Sequence, residues 1–252
     1  MISVKICGIV RTQDAVAAVQ AGARAIGFIF YGLSPRAISP AQARECAKAV
    51  PPEVKKVGVF VNAKRETIED IGKRVGLDFY QLHGDESPQD CMGFSRKVMK
   101  ALRLVSARDL EKLPLYKEKV QAFVVEGNVP RGTYGGSGIL ADWTLARRAK
   151  EYGRVILAGG LNAANVAPAL RQVQPDGLDV TSSVESKPGI KDPRKLKAFF
   201  DAIRRFEDQE FEVRRRLKDQ AQSQTPSGRV LGPGPGPAAG PDPEAPGRFE
   251  PT

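Results

Sequence analysis

The chain has little of the material that several common chemistries need. Its 252 residues include only one histidine. A single histidine disfavours Ser-His-Asp catalysis and histidine-rich metal sites. The three cysteines, Cys7, Cys46 and Cys91, are odd in number and widely spaced, and none belongs to a CxxC pair. This pattern supports neither a disulfide framework nor a zinc site.

Long apolar runs are missing as well. No stretch approaches the length that crosses a membrane, and the N-terminal residues lack the basic-then-apolar pattern of a signal peptide. We therefore expect a soluble, cytoplasmic protein that has no membrane partner.

Charge is abundant, and the formal net charge is +10 at pH 7. From Arg204 onward eight Lys and Arg residues are matched by eight Asp and Glu residues, so the basic excess lies before that point. The basic part has no stripe of lysine and arginine interleaved with aromatic residues. We expect it to attract a small anionic substrate rather than nucleic acid. Binding of RNA or of a partner protein is the weaker alternative.

Between residues 2 and 203, short β-branched or apolar runs alternate with segments of helical period. Eight such β units with helical crossovers are typical of a (β/α)8 TIM barrel, an α/β fold. A dinucleotide-binding sheet is disfavoured because Gly8 is the only glycine in the loop after the first strand. The predicted strands are residues 3–7, 25–30, 56–61, 79–82, 97–102, 122–126, 155–158 and 177–180. The predicted helices are residues 12–21, 40–50, 65–75, 107–116, 143–152 and 163–173.

The composition changes after the barrel. Residues 192–222 have the pattern of one long final helix, and its distal part, 204–222, is crowded with both signs of charge. Residues 223–252 are dominated by Pro, Gly, Ala and Ser, which cannot bury enough apolar surface to order the chain. The predicted organisation is a barrel domain at 1–203, a charged helical extension at 204–222 and a disordered tail at 223–252.

Chemistry in such barrels gathers at the carboxyl ends of the strands. Cys7 ends the first strand, and Lys5, two residues earlier, lies on the same face. An ammonium group there favours the thiolate and lowers the pKa of the cysteine toward neutrality, as a thiol general base needs. The alternatives are an inert core thiol at Cys7 and a structural lysine paired with a neighbouring carboxylate.

Polar side chains also follow other strands. Glu126 closes the apolar run of the sixth strand, where partial desolvation would raise its pKa enough for it to donate a proton. Arg36, after the second strand, is either a solvated loop arginine or a fork of donors for a planar carboxylate. His83 ends the fourth strand and either faces the substrate or has a structural role.

Glycine and hydroxyl residues follow the last two strands. Gly159 and Gly160, and then Ser182 and Ser183, expose backbone N–H groups where barrels of this class often hold a phosphate. The glycine-rich stretch at 132–138, which follows Glu126, is predicted to be a flexible loop that covers a bound substrate.

Several short blocks occur in a fixed order along the predicted barrel. They are Lys5-Ile6-Cys7-Gly8-Ile9, Gly27-Phe28-Ile29-Phe30, Ser34-Pro35-Arg36, Gly58-Val59-Phe60-Val61-Asn62, Gln81-Leu82-His83-Gly84, Tyr134-Gly135-Gly136-Ser137-Gly138, Gly159-Gly160-Leu161-Asn162 and Ser186-Lys187-Pro188-Gly189-Ile190-Lys191-Asp192. A chain with these blocks resembles the phosphoribosylanthranilate isomerase family of tryptophan biosynthesis.

The resemblance implies the Amadori rearrangement of N-(5'-phosphoribosyl)anthranilate to 1-(2-carboxyphenylamino)-1-deoxyribulose 5-phosphate, with no cofactor and no metal. It implies that Glu126 protonates the ring oxygen, that the ring opens to a Schiff base, and that Cys7 removes the C2′ proton. It places Arg36 on the anthranilate carboxylate and makes Asp179 a polar neighbour of the substrate, although a carboxylate that ends a strand can also be structural. We expect a monomer or a homodimer.

Three positions depart from the family pattern. Glu126 stands where the family has Asp, Ser183 where it has Gly, and Val10 where it has Thr. A serine is strained if position 183 requires a positive φ, and displacing an acid by about 1 Å can cost on the order of 10²-fold in rate. These departures support the main alternative, a divergent non-catalytic barrel that binds a sugar phosphate or a partner. The related histidine-pathway isomerase is disfavoured, because a carboxylate is expected there in the place of Cys7.

Overall fold

Eight parallel strands close into a barrel in chain order. The fold is that of a computed structural model, which describes residues 2–127 and 140–223, with side chains described as far as residue 220. The strands are β1 Ser3–Ile6, β2 Ala25–Ile29, β3 Lys55–Phe60, β4 Phe79–Leu82, β5 Lys97–Arg103, β6 Ala122–Glu126, β7 Val155–Leu157 and β8 Gly177–Val180. The predicted (β/α)8 barrel is confirmed.

Lys5 on β1 shows how the barrel closes. It pairs in register with Ala25 of β2 on one side and with Asp179 of β8 on the other. The first and last strands are therefore neighbours, and no strand of the barrel keeps an open edge.

Helices pack around the outside of the barrel. They are α1 Thr12–Ala21, α2 Pro40–Lys48, α3 Arg65–Val75, α4 Leu113–Tyr116, α5 Trp143–Ala149, α6 Val166–Val173 and α7 Pro193–Ser223. Local sequence explains their ends. Ser39 caps α2 in a capping box with Gln42, and Pro40 occupies the first turn, where its missing N–H costs nothing.

Some predicted elements differ in detail. The helix predicted at 107–116 is a 3-10 segment, Ala107–Lys112, followed by the single turn of α4. Pro114 explains the break, because it has no N–H to continue an α-helical ladder. The helix predicted at 163–173 begins at Val166. A short antiparallel pair, β9 Glu185–Lys187 and β10 Ile190–Lys191, was not predicted.

Side chains alternate between two environments along each strand. On β6, Phe123 and Val125 belong to the large apolar layer between strands and helices. Ala122 and Val124 point into the barrel, where they pack with Val57, Met99, Ala101 and Ala158. Glu126 follows in the same inward series. The interior is therefore apolar in its lower part and polar where the strands end.

The predicted final helix is confirmed as α7. The chain divides into two compact units, Met1–Glu210 and Phe211–Thr252. The described part of the second unit has exposed apolar side chains at Phe211, Val213 and Leu217. The flexible loop predicted at 132–138 and nearly all of the tail predicted at 223–252 lie outside the described residues. None of the helices that are described is long and apolar enough to cross a membrane.

Candidate active site

The carboxyl ends of the strands surround a cavity that opens to solvent. Every site residue predicted from the sequence lines it: Cys7, Arg36, His83, Glu126, Gly159, Gly160, Asp179, Ser182 and Ser183. Gln81 and Thr181 lie in the same wall. The barrel thus gathers into one place groups that are far apart in the sequence.

Two glycines make room for the residues around Cys7. Gly8 has φ 71°, and a Cβ there would lie 2.7 Å from Cδ of Arg36. Gly27, on the neighbouring strand β2, faces the site directly. A Cβ at Gly27 would lie 2.7 Å from Sγ of Cys7 and 2.8 Å from Cε of Lys5. The thiol and the lysine stem therefore meet over a position that only glycine fits.

Lys5 is buried inside the barrel and has two polar partners. Its Nζ donates to Oδ2 of Asp179 at 2.6 Å and to Oε1 of Gln81 at 2.9 Å. Burial alone would lower the pKa of Lys5, but the charge of Asp179 and the nearby Cys7 thiol raise it above its usual value. The lysine is charged, and it is both the partner of a carboxylate and the neighbour of Cys7.

The Cys7 thiol is buried, and its backbone N–H donates to the carbonyl of Val180 on β8. Burial raises the pKa of this thiol, and the lowering by Lys5 does not overcome it, because Asp179 opposes the thiolate as well. The expectation that Lys5 brings the pKa of Cys7 toward neutrality was wrong for the substrate-free site. The physical reason is the burial of the thiol, to which Asp179 adds by opposing a negative charge beside its own.

Glu126 is buried at the end of β6, where Oε1 lies 3.0 Å from Nε2 of His83. Burial raises the pKa of this carboxyl, but His83, Arg103 and Lys5 lower it by more than burial raises it. The net shift of the pKa is therefore downward. The prediction that desolvation raises the pKa of Glu126 was therefore wrong in direction. Sequence reasoning considered the apolar strand but not His83, Arg103 and Lys5, which lie on other strands or just after them.

His83 lies between two polar side chains rather than against an apolar wall. Its Nδ1 is 2.9 Å from Nε2 of Gln81, and its other ring nitrogen faces Glu126. The ring is buried and also borders the cavity. His83 therefore has polar protein neighbours at both ring nitrogens and also reaches the cavity wall.

Arg36 is buried and already holds a carboxylate of the protein. Its Nε lies 3.0 Å from both oxygens of Glu185, and its Nη2 donates to Oε2 at 2.7 Å. Lys191 also donates to Glu185, at 2.8 Å. Burial raises the pKa of Glu185, but the two cations outweigh it and hold the pKa below its usual range. Nη1 makes no hydrogen bond to any described residue.

Sequence reasoning missed Glu185 and Lys191. Both belong to the β9–β10 pair, whose strands are too short to leave a periodic signal. Glu185 is 149 positions from Arg36 in the chain, so nothing local identifies the partner. Only the closed barrel brings them together.

The loops after β7 and β8 form the other side of the cavity. Gly159 and Gly160 have φ of 79° and 64°, the left-handed region that glycine tolerates. Ser183 lies in a 3-10 turn, Ser182–Val184, and is not among the described residues with positive φ. The strain considered for Ser183 is therefore absent. Its hydroxyl donates to the carbonyl of Leu161, which ties the two loops together.

The donor set of the site suits anions. Two glycines, several hydroxyl side chains and an arginine line the cavity wall, and these are residue types that hold anions in proteins. Within residues 2–127 and 140–223, no group of three or more His, Cys, Asp or Glu side chains is arranged to hold a metal ion.

Comparison with protein families gives one match over most of the chain. Residues 4–202 match the family model described as N-(5'-phosphoribosyl)anthranilate (PRA) isomerase. The chain is 44% identical to the N-(5'-phosphoribosyl)anthranilate isomerase of Pelobacter propionicus, over 79% of this chain and 94% of that protein. It is 47% identical to the enzyme of that name from Pseudomonas putida, over 79% of this chain and 96% of the relative.

Solved structures agree with the sequence comparison. The phosphoribosyl anthranilate isomerase of Thermotoga maritima superposes with a TM-score of 0.75 at 40% identity, covering 80% of this chain and 98% of that one. A phosphoribosyl anthranilate isomerase in complex with reduced 1-(o-carboxyphenylamino)-1-deoxyribulose 5-phosphate superposes with a TM-score of 0.72 at 37% identity, with the same coverage.

Proposed function

The chain belongs to the N-(5'-phosphoribosyl)anthranilate isomerase family, and from that membership and the site we infer that it is such an isomerase in tryptophan biosynthesis. It rearranges N-(5'-phosphoribosyl)anthranilate to 1-(2-carboxyphenylamino)-1-deoxyribulose 5-phosphate. The observation that carries this inference is that a thiol and a carboxyl, Cys7 and Glu126, follow or end different strands and line one cavity together with the glycines and serines after β7 and β8.

The reaction moves protons without changing the composition of the substrate. We propose that the carboxyl of Glu126 gives a proton to the furanose ring oxygen, so that the C1′–O bond breaks and a Schiff base forms. The thiolate of Cys7 then takes the proton from C2′, and the C2′–H electron pair forms the enolamine. Protonation at C1′ and loss of the C2′ hydroxyl proton give the ketone.

The substrate-free site holds its proton in the opposite arrangement. The upward shift of the Cys7 pKa and the downward shift of the Glu126 pKa describe a thiol beside an ionised carboxylate. The state that starts the reaction, a thiolate and a carboxylic acid, has the same number of protons and the same net charge. Our proposal therefore requires a redistribution of one proton and no uptake from solvent.

The remaining side chains suit the two ends of the substrate. We assign the phosphate to the backbone N–H groups at Gly159, Gly160, Ser182 and Ser183, because glycine and small residues let an anion approach the backbone. We assign the anthranilate carboxylate to Arg36, whose Nη1 makes no bond to a described residue. His83 and Asp179 are assigned to the substrate-facing wall between these ends.

Reaction of the purified chain tests the proposed function. Substrate and product are isomers of equal mass, so chromatographic separation must accompany mass measurement. We expect the product peak to appear with the enzyme, and we expect the gene to restore growth of a tryptophan auxotroph that lacks this step. A folded, soluble protein that shows neither result would support the non-catalytic barrel.

Two further assignments concern the protein in the cell. We propose that it works in the cytoplasm, because the thiol of Cys7 must stay reduced and that compartment keeps thiols reduced. We also propose that it is a monomer or a homodimer. One solved relative consists of monomers generated from the dimeric phosphoribosylanthranilate isomerase of Thermotoga maritima. Light scattering of the purified chain decides between the two states.

A further inference from the structure

An unbroken series of buried polar side chains connects the surroundings of Cys7 to Glu126. Asp179 accepts from Lys5 at 2.6 Å, and Lys5 donates to Gln81 at 2.9 Å. Gln81 lies 2.9 Å from His83, and His83 lies 3.0 Å from Glu126. All five are at most 8% exposed. The series crosses the barrel from β8 through β1 and β4 to β6.

The direction of each contact follows from Lys5. An ammonium group has three donors and no acceptor, so it must face an acceptor of Gln81, which is Oε1. The amide nitrogen of Gln81 then points the other way, toward Nδ1 of His83. The flipped amide would set donor against donor inside the barrel, where an unmade hydrogen bond is costly.

The tautomer of His83 follows in turn. Because Gln81 presents N–H groups to Nδ1, that ring nitrogen must accept, and the ring proton is on Nε2. Nε2 is the nitrogen that lies 3.0 Å from Oε1 of Glu126. The N–H and the oxygen are not aligned well enough to form a hydrogen bond, and neither Nε2 nor Oε2 of Glu126 has a hydrogen-bond partner among the described residues.

We propose that Gln81 is a positioning residue that fixes His83 as its Nε2–H tautomer and thereby selects the oxygen of Glu126 that carries the acidic proton. A proton on Oε1 would face the N–H of His83, donor against donor. The acidic proton of Glu126 is therefore on Oε2. This inference rests on the proposed function for its catalytic meaning, but not for the tautomer itself.

The tautomer can be measured directly because His83 is the only histidine of the chain. Nitrogen NMR of the full-length protein, with histidine labelled by an NMR-active nitrogen isotope, separates a protonated ring nitrogen from a bare one. We expect Nε2 to be protonated and Nδ1 bare. A wild-type protein with the proton on Nδ1, or with an even mixture of tautomers, overturns the proposal whether or not the enzyme is active.

Gln81→Glu tests the cause. A carboxylate at position 81 has only acceptors. It can keep the hydrogen bond from Lys5, but Nδ1 of His83 must then carry the proton and donate it to the carboxylate. We expect the resonance of Nδ1 to change to the protonated form and kcat to fall at least about tenfold, with a smaller change in KM, as for a misdirected general acid. Gln81→Met removes both contacts and should give a mixture of tautomers. An unchanged Nε2–H tautomer in a folded variant contradicts the role of Gln81.

Gln20→Glu is the matched control, since it makes the same substitution at an exposed position of α1. It should leave both the tautomer and kcat unchanged. If wild type shows the expected tautomer but no turnover, the proposed function fails while this inference stands. If neither Gln81 variant folds, as judged by circular dichroism, the wild-type spectrum still decides.

Discussion

Arg36 binds Glu185 through two of its guanidinium nitrogens, and the pair is buried, with side-chain exposures of 9% and 3%. The two donors that face Glu185 fix the plane of the guanidinium and direct Nη1 away from this carboxylate. Glu185 therefore sets the geometry with which Arg36 can meet the carboxylate of a substrate. Lys191, on the other oxygen, holds Glu185 in place.

Glu185→Gln should weaken this arrangement in two ways. Removing the carboxylate leaves Arg36 and Lys191 uncompensated, and breaking a buried ion pair costs about 3–5 kcal/mol of stability. The melting temperature should fall, and KM should rise more than kcat falls. Glu45→Gln, which breaks an exposed pair with Lys48, is the control and should change neither. A wild-type KM in Glu185→Gln would show that Arg36 needs no support from Glu185.

Cys7→Ser should abolish turnover while the barrel stays folded. A serine hydroxyl is far too weak an acid to supply the base, and a general base contributes about 10²–10⁴-fold to the rate. Cys46 is an equally buried thiol outside the cavity, so Cys46→Ser should keep kcat even if its melting temperature drops. Comparable activity in the two variants would make Cys7 a packing residue.

Glu126→Gln should remove activity, because the amide keeps the shape but has no acidic proton to deliver. Glu126→Asp should also be slow. Shortening the side chain draws the carboxyl away from Nε2 of His83, and a misplacement of about 1 Å can cost on the order of 10²-fold. Single-turnover measurements on the three forms with the same substrate test this order. A faster Asp variant would show that the contact with His83 contributes nothing.

The pH profile of kcat/KM should be a broad plateau. Its acidic limb should report the pKa of the proposed proton donor, Glu126, and its alkaline limb the pKa of the proposed base, Cys7. The active form of the free enzyme has one proton shared by Cys7 and Glu126. It gains a second proton below the lowered pKa of Glu126 and loses its proton above the raised pKa of Cys7. The acidic limb therefore belongs to the proton donor and the alkaline limb to the base. A plateau narrower than the interval between the usual pKa values of a glutamate and a cysteine would contradict the two pKa shifts.

Gly27→Ala should disable the site without replacing any of the proposed catalytic residues. The added Cβ would lie 2.7 Å from Sγ of Cys7 and 2.8 Å from Cε of Lys5, so both must move. We expect kcat to fall on the order of 10²-fold, as for a base displaced by about 1 Å. Gly32→Ala is the control, because a Cβ there meets nothing within 4 Å. Equal activities would mean that the thiol tolerates displacement.

The sequence predicts those parts of the molecule that local pattern decides. β6 has the predicted bounds because its apolar run is continuous and ends sharply at Glu126. The site residues lie in one cavity because parallel strands bring their carboxyl ends together. The helix broken near Pro114 and the β9–β10 pair depend on short segments whose pairing is a tertiary matter.

The electrostatics of the site were harder to predict. The pKa of Cys7 is raised first by burial and then by Asp179, which lies on another strand and also pairs with Lys5. The pKa shift of Glu126 depends in part on its contact with His83, the residue that follows β4. Neither partner is identifiable from the residues beside it in sequence. Sequence position thus placed Cys7 and Glu126 in the cavity but did not predict the directions of their pKa shifts.

The ion pair between Lys5 and Asp179 has a consequence for how the barrel tolerates mutation. It lies inside the barrel, with side-chain exposures of 5% and 6%. Loss of either residue strands a charge there, at a cost of about 3–5 kcal/mol, whereas replacing both by packed apolar residues is often neutral or stabilising. A single substitution at Lys5 or Asp179 is therefore expected to destabilise the fold before any effect on activity is seen. A stable barrel without this ion pair requires both residues to be replaced at once. Selection for folding alone therefore tends to keep the two polar residues inside the barrel.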